Sequence, residues 1–346
     1  MANIVIIGAG VMGSAASVPA ADNGHRVILA GTPLDREIIA ALRHGRDHPR
    51  LGTALPGTVE PVDGEALSPA DLAAADLVMV AVSSPGVPWA RRLLGELLTV
   101  PRTIALMTKG LDERGEKEVP RIMPEAVREA LSAGAAESPL IGIGGPCIAR
   151  ELSLRRLTAV IYGGTDPEAL AHARALMQTP YYRVHLSDDI TGVEAAAPLK
   201  NFMAIAVSAI AARHGAGEDG WSLNAASFAF TQAQEELRRL VAWLGGRDET
   251  ATGLAGMGDL HVTVGGGRNS RLGRYLGKGM TIREACAGPL AGETVEGVDT
   301  GRALAPGLMA AISAGTLNAA ELPMTCALIA SILDDRPFTY EPAHVA

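Results

Sequence analysis

The sequence predicts an α/β protein in which a doubly wound, mostly parallel sheet is followed by an all-α domain. In the first half of the chain, short β-branched runs alternate with segments of helix length, which is typical of a parallel sheet covered on both faces. After Ser187, Asp188 and Asp189 the strand-like runs cease, and segments rich in Ala, Leu and Glu follow. We therefore predict two domains, residues 1–188 and residues 189–346.

The strands of the first domain are predicted from short apolar runs bounded by turn residues. They are Asn3–Ile7, His25–Ala30, Asp76–Val82, Thr103–Met107, Pro139–Ile143, Leu157–Tyr162 and Tyr181–His185. The helices are predicted at Val11–Asn23, near Trp89–Leu98, at Lys117–Ser132 and at Pro167–Gln178. A further helix is expected to begin near Pro33, because proline suits the first turn of a helix.

The second domain is predicted to consist of helices, mainly Thr191–Ala212, Ser222–Leu244, Arg271–Leu276, Thr281–Ala287 and Thr300–Ala314. The most apolar stretch, residues 201–212, is shorter than the roughly 18 uninterrupted apolar residues of a membrane span, and Lys200 directly precedes it. We expect a buried helix here and no membrane span. The N-terminus also lacks the basic segment of a signal peptide.

Charge and composition disfavour two classes of function. The 30 Lys and Arg residues are outnumbered by 38 Asp and Glu residues, which gives a formal net charge of −8, whereas a general nucleic-acid binder needs a basic surface. Four Phe, five Tyr and three Trp are few for a platform that stacks bases. The three scattered cysteines indicate neither a disulfide scaffold nor a metal site, so we expect a cytoplasmic protein. A local site for one small phosphate is compatible with this balance.

A glycine fingerprint lies directly after the first predicted strand. Gly8-Ala9-Gly10-Val11-Met12-Gly13 fits GxGxxG at the head of a helix. In a Rossmann-type domain the first glycine permits a tight turn, the second lets the backbone approach a pyrophosphate, and the third lets helix and strand pack closely. The helix N-terminus adds unpaired N–H groups that favour an anion. The fingerprint therefore predicts dinucleotide binding; the alternative is a glycine turn that binds no nucleotide.

The end of the second strand leaves the choice between NAD and NADP undecided. An acidic residue here usually holds the ribose hydroxyls of NAD, whereas an arginine accepts the extra phosphate of NADP. The segment Leu29–Arg36 has neither charge at the expected place. Thr32 and the nearby helix start could accommodate a phosphate that Arg36 reaches. Asp35 and Arg36 are better explained as ordinary charges on a helix surface.

Two loops that follow strand ends are predicted to bind a ligand. Lys109 lies in Thr108-Lys109-Gly110 beyond one strand, and residues 144–149 (GGPCIA) follow another. Ligands of doubly wound sheets bind at the carboxyl ends of the strands. Each loop is common on its own, but their joint placement favours one crevice.

The helical half contributes polar side chains in unusual surroundings. Lys200 interrupts an otherwise apolar helix, and a buried ammonium is disfavoured unless its head reaches solvent, a partner or a cavity. Partial burial brings an ammonium pKa toward the range useful for proton transfer. The alternative is a lysine that snorkels from a helix end. Asp259 supplies a carboxylate, and Arg268 with Asn269 supplies groups that grip a phosphate, although both segments could be turns carrying solvated polar groups.

A metal site is not predicted. His44 and His48 have the i,i+4 spacing of helical ligands, but Gly45 and Pro49 indicate that the helix has already ended. No HExxH pattern is present.

Taken together, these segments resemble the NAD(P)-dependent glycerol-3-phosphate dehydrogenase family. The matching pieces occur in family order between residues 8 and 297: GAGVMGSA, HPRLG, LMTKGLD, GGPCIARE, SDDITGVE, LKN, GLAGMGDL, GGRN and VEG. The segments GTPLDREI and GRDHPRLG are most similar to the archaeal-type branch. The resemblance implies hydride exchange between NAD(P)H and the C2 carbonyl of dihydroxyacetone phosphate, giving sn-glycerol 3-phosphate. It also implies a homodimer.

The resemblance assigns roles by motif. It implies that Lys200 donates a proton to the developing alkoxide and that Lys109 assists at the substrate or cofactor. It also implies that Asp259 holds both the lysine ammonium and the substrate. The remaining substrate-binding positions are Gly145, Cys147, Thr263, Arg268 and Asn269. The implied cofactor-binding positions are Gly8, Gly10, Val11, Met12, Gly13, Ser14, Thr32, Lys109, Ala149, Arg268 and Glu296.

Departures from the family pattern leave other functions open. Cys147 lies where many members have a serine, and Pro198 lies two residues before Lys200, where it either kinks the helix or marks its first turn. Another phosphorylated polyol or ketose is therefore an alternative substrate. The rival interpretations are a ketopantoate reductase, a β-hydroxyacid dehydrogenase and a sensor that binds NAD(P) without turnover.

Overall fold

The computed structural model describes residues 1–112, 119–215 and 220–340. Its ten strands are β1 (Asn3–Ile7), β2 (Arg26–Gly31), β3 (Val59–Asp63), β4 (Leu77–Val80), β5 (Ile104–Leu106), β6 (Leu111–Asp112), β7 (Arg121–Ile122), β8 (Leu140–Gly144), β9 (Thr158–Gly164) and β10 (Tyr182–Ser187).

The α-helices of the described residues lie between the strands and then follow them. They are α1 (Val11–Asp22), α2 (Arg36–Arg43), α3 (Pro69–Ala73), α4 (Val87–Leu97), α5 (Met123–Ala130), α6 (Ala149–Ser153), α7 (Pro167–Met177), α8 (Ile190–Arg213), α9 (Leu223–Trp243), α10 (Asp248–Thr252), α11 (Asp259–Val264), α12 (Arg268–Gly277), α13 (Ile282–Ala287), α14 (Glu296–Ser313) and α15 (Pro323–Asp334). Leu254–Gly258 forms a π-helical turn directly before α11. The strands end with β10, and the described residues beyond it contain helices and loops.

The main sheet has eight strands in the order β10-β9-β8-β5-β4-β1-β2-β3. Neighbouring strands are parallel except β8 and β9, which are antiparallel. The order from β3 to β8 is that of a Rossmann-type sheet, with its topological switch point between β1 and β4. The predicted fold class is confirmed.

The central strands are buried on both faces, as a parallel sheet requires. In β1, Ile4 and Ile6 pack into the apolar cluster on one side of the sheet, whereas Val5 and Ile7 pack into the cluster on the other. All four side chains are completely buried. A continuous β-branched run therefore forms a strand with no solvent-facing side.

Several local predictions differ from the structure, and strands β6 and β7 and helix α15 were not predicted. No strand was predicted at β3, an edge strand whose sequence VEPVD carries a proline and two acids, which edge positions tolerate. The second helix begins at Arg36 rather than near Pro33, because residues 32–35 form a turn closed by a hydrogen bond from the Asp35 N–H to the Thr32 carbonyl. The predicted helix Lys117–Ser132 is only partly correct: α5 covers Met123–Ala130, where Pro124 suits the first turn, and Arg121–Ile122 form strand β7 instead. The first two predicted positions lie outside the described residues.

The described chain forms two compact units. Unit 1 comprises Met1–Lys109 and Ile122–Glu194, and unit 2 comprises Gly110–Arg121 and the chain from Ala195 onward. The last passage of the chain from unit 1 to unit 2 lies within helix α8. The domain boundary at residue 188 stays a prediction.

Unit 2 is built around the apolar helix α8. Two glycines of α12 bring that helix close to it, since an added Cβ would lie 2.3 Å from the Ile205 carbonyl oxygen at Gly273 and 2.3 Å from the Ala209 carbonyl oxygen at Gly277. Among the described helices, α8 alone has the length and hydropathy of a membrane span, and its most apolar window is wholly buried. This burial is the pattern of a core helix.

A buried carboxylate supports the start of the last helix. Glu236 of α9 is completely buried. It accepts hydrogen bonds from the backbone N–H groups of Met324 (2.9 Å) and Thr325 (2.7 Å) and from the Thr325 hydroxyl (2.6 Å). Leu322 at the N-cap has no polar side chain, so Glu236 satisfies amides that the helix leaves unpaired.

We expect Glu236→Ala to destabilise the protein by about 3 kcal/mol, because it leaves several buried donors without an acceptor. Glu235→Ala is the matched control, since the Glu235 side chain is 43% exposed in its ion pairs with Arg238 and Arg239, and such surface pairs contribute about 0–1 kcal/mol. Urea unfolding of both variants measures the difference. Equal stability of the two variants would contradict this account of the cap.

Candidate active site

In the fingerprint loop, Gly8 and Gly13 are required for close packing, whereas Gly10 faces open space. Gly8 has φ +114°, and an added Cβ would lie 2.7 Å from the Ala81 carbonyl oxygen beyond β4. A Cβ on Gly13 would lie 2.0 Å from the carbonyl oxygen of Gly8. A Cβ on Gly10 would meet no atom within 4 Å. The backbone at Gly10 is thus open to a ligand, as the fingerprint predicts for a pyrophosphate.

The start of α1 is suited to an anion. Gly10 is its N-cap, no side chain caps it, and its first turn carries no acidic residue. The first backbone N–H groups of a helix, here those of Val11 and Met12 with Gly13, have no partner within the helix and favour negative charge. The Val11 side chain is exposed and that of Met12 half-buried. These observations fit the phosphates of NAD(P).

The peptide of Ala9, between the two glycines, is held from two directions. Its N–H donates to Oδ2 of Asp35 at 3.3 Å. The same Oδ2 accepts from the backbone N–H of Thr32 at 2.9 Å and from its hydroxyl at 2.8 Å. On the other side, the Ser14 hydroxyl donates to the Ala9 carbonyl at 3.0 Å. The interpretation of Asp35 as a helix-surface charge is therefore wrong: the side chain is buried and ties the second strand's loop to the fingerprint.

His48 also holds the Ala9 peptide. It was not predicted as a site residue from the sequence. It is completely buried, and its Nε2 lies 3.2 Å from the Ala9 carbonyl oxygen. Its Nδ1 accepts from the backbone N–H groups of Arg50 (3.1 Å) and Leu51 (3.2 Å). These partners assign a neutral ring with the proton on Nε2. Burial lowers the pKa of His48, which favours the same neutral form.

The loop that carries Lys109 is fixed through its backbone. The Thr108 hydroxyl donates to the Val82 carbonyl at 2.8 Å, and the Ser84 hydroxyl donates to the Lys109 carbonyl at 2.9 Å. Lys109 itself is half-buried beyond the end of β5. This is the strand-end position that the sequence predicted.

The loop after β8 is held close to the neighbouring strand. Gly145 has φ +115°, and an added Cβ would lie 3.1 Å from Cα of Val160. Cys147 is half-buried in the same loop, and Ala149 begins α6. Their ligand roles stay predictions.

Unit 2 brings Lys200, Asp259 and Thr263 into one buried cluster. The ammonium of Lys200 donates to Oδ1 of Asp259 at 2.8 Å and to the hydroxyl of Thr263 at 2.6 Å. The Lys200 and Asp259 side chains are only 6% and 4% exposed. The Thr263 hydroxyl in turn donates to the Asp259 carbonyl at 2.7 Å. Lys200 thus lies in the interior of α8 and does not snorkel from a helix end.

Local backbone features position this cluster. Pro198 is eight residues into α8, so it lies inside the helix and does not mark its first turn. The π-helical turn Leu254–Gly258 precedes Asp259, and an added Cβ on its Gly256 would lie 1.9 Å from the Ala251 carbonyl oxygen. Such turns are rare and frequent at functional sites. The glycines of GLAGMGDL therefore permit the tight turn that delivers the carboxylate.

The second polar group of unit 2 lies at the starts of α12 and α14. Arg268 forms an ion pair with Glu296, in which its side chain is 45% exposed. Oδ1 of the buried Asn269 accepts from the Gly297 N–H at 2.9 Å. Both residues belong to the first turn of α12, where Asn269 is buried and the Arg268 side chain is exposed to solvent. Arg268, Asn269 and Glu296 are thus brought together, whereas their phosphate and cofactor roles stay predictions.

These features define a class of protein. A Rossmann-type sheet with an intact, open glycine loop is a dinucleotide-binding unit. A buried ammonium held by a carboxylate and a hydroxyl has the chemistry of a general acid, and its role here stays a prediction. The chain is therefore a dinucleotide-dependent oxidoreductase.

The particular family follows from comparison with known proteins. Residues 3–170 match the family model for the N-terminus of NAD-dependent glycerol-3-phosphate dehydrogenase, and residues 189–336 match the model for its C-terminus. The chain belongs to this family.

Curated relatives and solved structures agree. The NADP(+)-dependent glycerol-3-phosphate dehydrogenase of Archaeoglobus fulgidus is 39% identical over 82% of each chain. The glycerol-3-phosphate dehydrogenase [NAD(P)+] of Pseudomonas fluorescens is 34% identical over 86% of this chain and 82% of its own. The glycerol-3-phosphate dehydrogenase structure from Coxiella burnetii has a TM-score of 0.80 at 25% identity, covering 97% of this chain and 96% of that chain.

The glycine geometry predicts opposite phenotypes for two substitutions in one loop. Gly10→Ala places a methyl group in open space, so we expect an unchanged melting temperature but at least about tenfold weaker NADPH binding, since the backbone can no longer approach the pyrophosphate. Gly13→Ala drives a methyl group into the Gly8 carbonyl and is expected to destabilise the fold itself.

Differential scanning fluorimetry and isothermal titration with NADPH measure both effects. Gly57→Ala is the control, because an added Cβ there also meets no atom within 4 Å, in a different loop. Undiminished NADPH affinity of Gly10→Ala would contradict the assignment of this loop.

Proposed function

We propose that this protein is an NAD(P)-dependent glycerol-3-phosphate dehydrogenase, which exchanges a hydride between NAD(P)H and the C2 carbonyl of dihydroxyacetone phosphate. The observation that carries the proposal is the buried contact of Lys200 with Asp259 and Thr263. Family membership and the named activities of the relatives support the choice of substrate.

Each residue of the cluster has a defined task in this reaction. The bound nicotinamide supplies the hydride, and negative charge then grows on the oxygen at C2. The ammonium of Lys200 stabilises that charge and gives the oxygen a proton. Asp259 keeps the ammonium charged in a buried setting, and the two hydrogen bonds fix the direction of its Nζ. In the reverse direction the amine of Lys200 accepts the proton.

Arg268 and Asn269 are the proposed grip for the substrate phosphate. A guanidinium can bind a phosphate through two parallel hydrogen bonds. Arg268 is paired with Glu296, so phosphate binding exchanges one anionic partner for another. The phosphate is remote from C2, and its binding energy serves to position the reacting carbonyl.

We also propose that NADPH is preferred over NADH. The acid nearest the end of β2, Asp35, is turned inward to Ala9 and Thr32. Arg36, the next residue, is exposed at the start of α2, where it can meet the additional phosphate. The Archaeoglobus relative, which is named as NADP(+)-dependent, supports this preference.

From the family resemblance alone we further propose a cytoplasmic homodimer whose product serves phospholipid synthesis. Cofactor absorbance, followed with dihydroxyacetone phosphate and each nicotinamide cofactor in turn, tests the activity. Faster turnover of a different phosphorylated ketose would favour the alternative substrate. Tight NAD(P) binding without turnover of any phosphorylated ketone would favour a sensor.

Substitution of Lys200 tests the acid–base role. We expect Lys200→Ala to lower kcat by about 10²–10⁴-fold, because the variant lacks the proposed proton donor for the alkoxide. Since this change leaves Asp259 buried without its partner, Lys200→Arg is measured beside it. Arginine keeps the positive charge but does not release a proton near neutral pH, so kcat should fall while the protein stays folded.

The control is Lys278→Ala, which removes an exposed lysine of the same unit. Arg268→Ala serves as the comparison for binding, with the main change expected in KM for the phosphorylated substrate. Full turnover of Lys200→Ala at saturating substrate would contradict the proposed proton donor.

A further inference from the structure

Glu194 is a carboxylic acid enclosed between helix α8 and the sheet. It is 2% exposed and lies above β8. The space for it exists because Gly142 of β8 has no side chain: an added Cβ would lie 2.5 Å from Cγ and 2.6 Å from Oε1 of Glu194. Gly163 of β9 pairs with Gly142 of β8 and likewise makes room for the first turn of α8. A Cβ added to Gly163 would lie 2.9 Å from Cγ2 of Val193.

The acid is incompletely satisfied in this position. Among the described residues, Oε2 of Glu194 has no hydrogen-bond partner. Burial raises the pKa of Glu194 well above its usual range, and a hydrogen bond from the backbone of Ile143 and the positive charge of Lys109 act against that rise. An unsatisfied buried polar atom is costly, and it requires an explanation.

Packing and helix capping do not explain the acid. An amide or an apolar side chain of similar volume would fill the space above Gly142 without burying a potential charge. The start of α8 already has a cap, because Oδ1 of Asp189 accepts from the Gly192 N–H at 2.8 Å. Glu194 is therefore not needed to begin the helix.

The charged side chain that acts on Glu194 is Lys109. Both residues belong to unit 1, so one compact unit fixes their separation. The backbone of Lys109 is held by Ser84, and the lysine side chain reaches its ammonium through a flexible four-carbon stem. A buried acid that interacts with the ammonium can direct it.

We propose that Glu194 is a positioning residue whose Oε2 accepts a hydrogen bond from the Lys109 ammonium and directs it during turnover. The inference rests on the proposed function, since Lys109 is assigned there to the substrate or cofactor. Glu194 itself does not touch the reacting atoms in this scheme.

The test compares Glu194→Gln with Glu194→Asp. Glutamine preserves volume and removes the carboxyl group, whereas aspartate preserves the carboxyl group and loses volume. We expect Glu194→Gln to lower kcat by about tenfold or more, with a melting temperature equal to or above that of the wild type, because a costly buried acid is gone. Glu194→Asp should retain more of the turnover despite filling the space less well. Glu168→Gln, an exposed glutamate of α7, is the control.

A double-mutant cycle with Lys109→Ala separates action through the lysine from a structural role. In the Lys109→Ala background, Glu194→Gln should change kcat less than about twofold, because coupled residues are not additive. If Glu194→Gln does not fold, Glu194→Asp replaces it in the same cycle. Additive effects, wild-type turnover of Glu194→Gln, or a loss of activity that parallels a lower melting temperature would overturn the inference. Failure of the wild type to reduce dihydroxyacetone phosphate would instead overturn the proposed function.

Discussion

The buried ion pair between Lys200 and Asp259 is the constraint on which unit 2 depends. Two charges removed from water must meet in good geometry, because the attraction between them only then offsets the loss of hydration. Here the contact is 2.8 Å, and Thr263 adds a second acceptor at 2.6 Å. Such a pair is weak evidence for stability, and it marks the ammonium as a candidate functional group.

The surrounding helices meet this constraint through close backbone packing. Helix α8 carries Lys200 among apolar residues, and helix α12 packs closely against α8 at Gly273 and Gly277. The N-terminus of α14 approaches the same helix at Gly297, where an added Cβ would lie 2.6 Å from the Asn201 carbonyl oxygen. A rigid helix core leaves the lysine little freedom, which is the preorganisation that the proposed proton transfer requires.

Unit 1 applies the same principle to a backbone. The peptide of Ala9 is held by Asp35 at its N–H and by Ser14 and His48 at its carbonyl, so the loop between Gly8 and Gly10 is fixed before any nucleotide binds. The glycines leave the outer side of the loop open. Nucleotide binding therefore does not lose free energy to ordering of this loop.

The sequence predicts those parts that depend on local pattern. The strand Asn3–Ile7, the glycine fingerprint and the long apolar helix around Lys200 follow from β-branched runs, glycine spacing and length. The buried roles of Asp35, His48 and Glu194 were not predicted, because their partners lie on other elements of the fold. The sequence does not distinguish a buried acid from a solvent-exposed one. The charge of Glu194 within the apolar segment GVEAAAP is the one local signal that could have indicated it. The π-helical turn before Asp259 depends on the close approach of Gly256 to the Ala251 carbonyl oxygen, which hydrophobic periodicity does not predict.

A crystal structure with NADP⁺ and sn-glycerol 3-phosphate tests the central claim most directly. The account predicts that the C2 oxygen of the substrate lies about 2.7–3.2 Å from Nζ of Lys200, with the ion pair to Asp259 intact. A ligand bound with that oxygen beyond hydrogen-bond reach of Nζ, and with another side chain in its place, would contradict it.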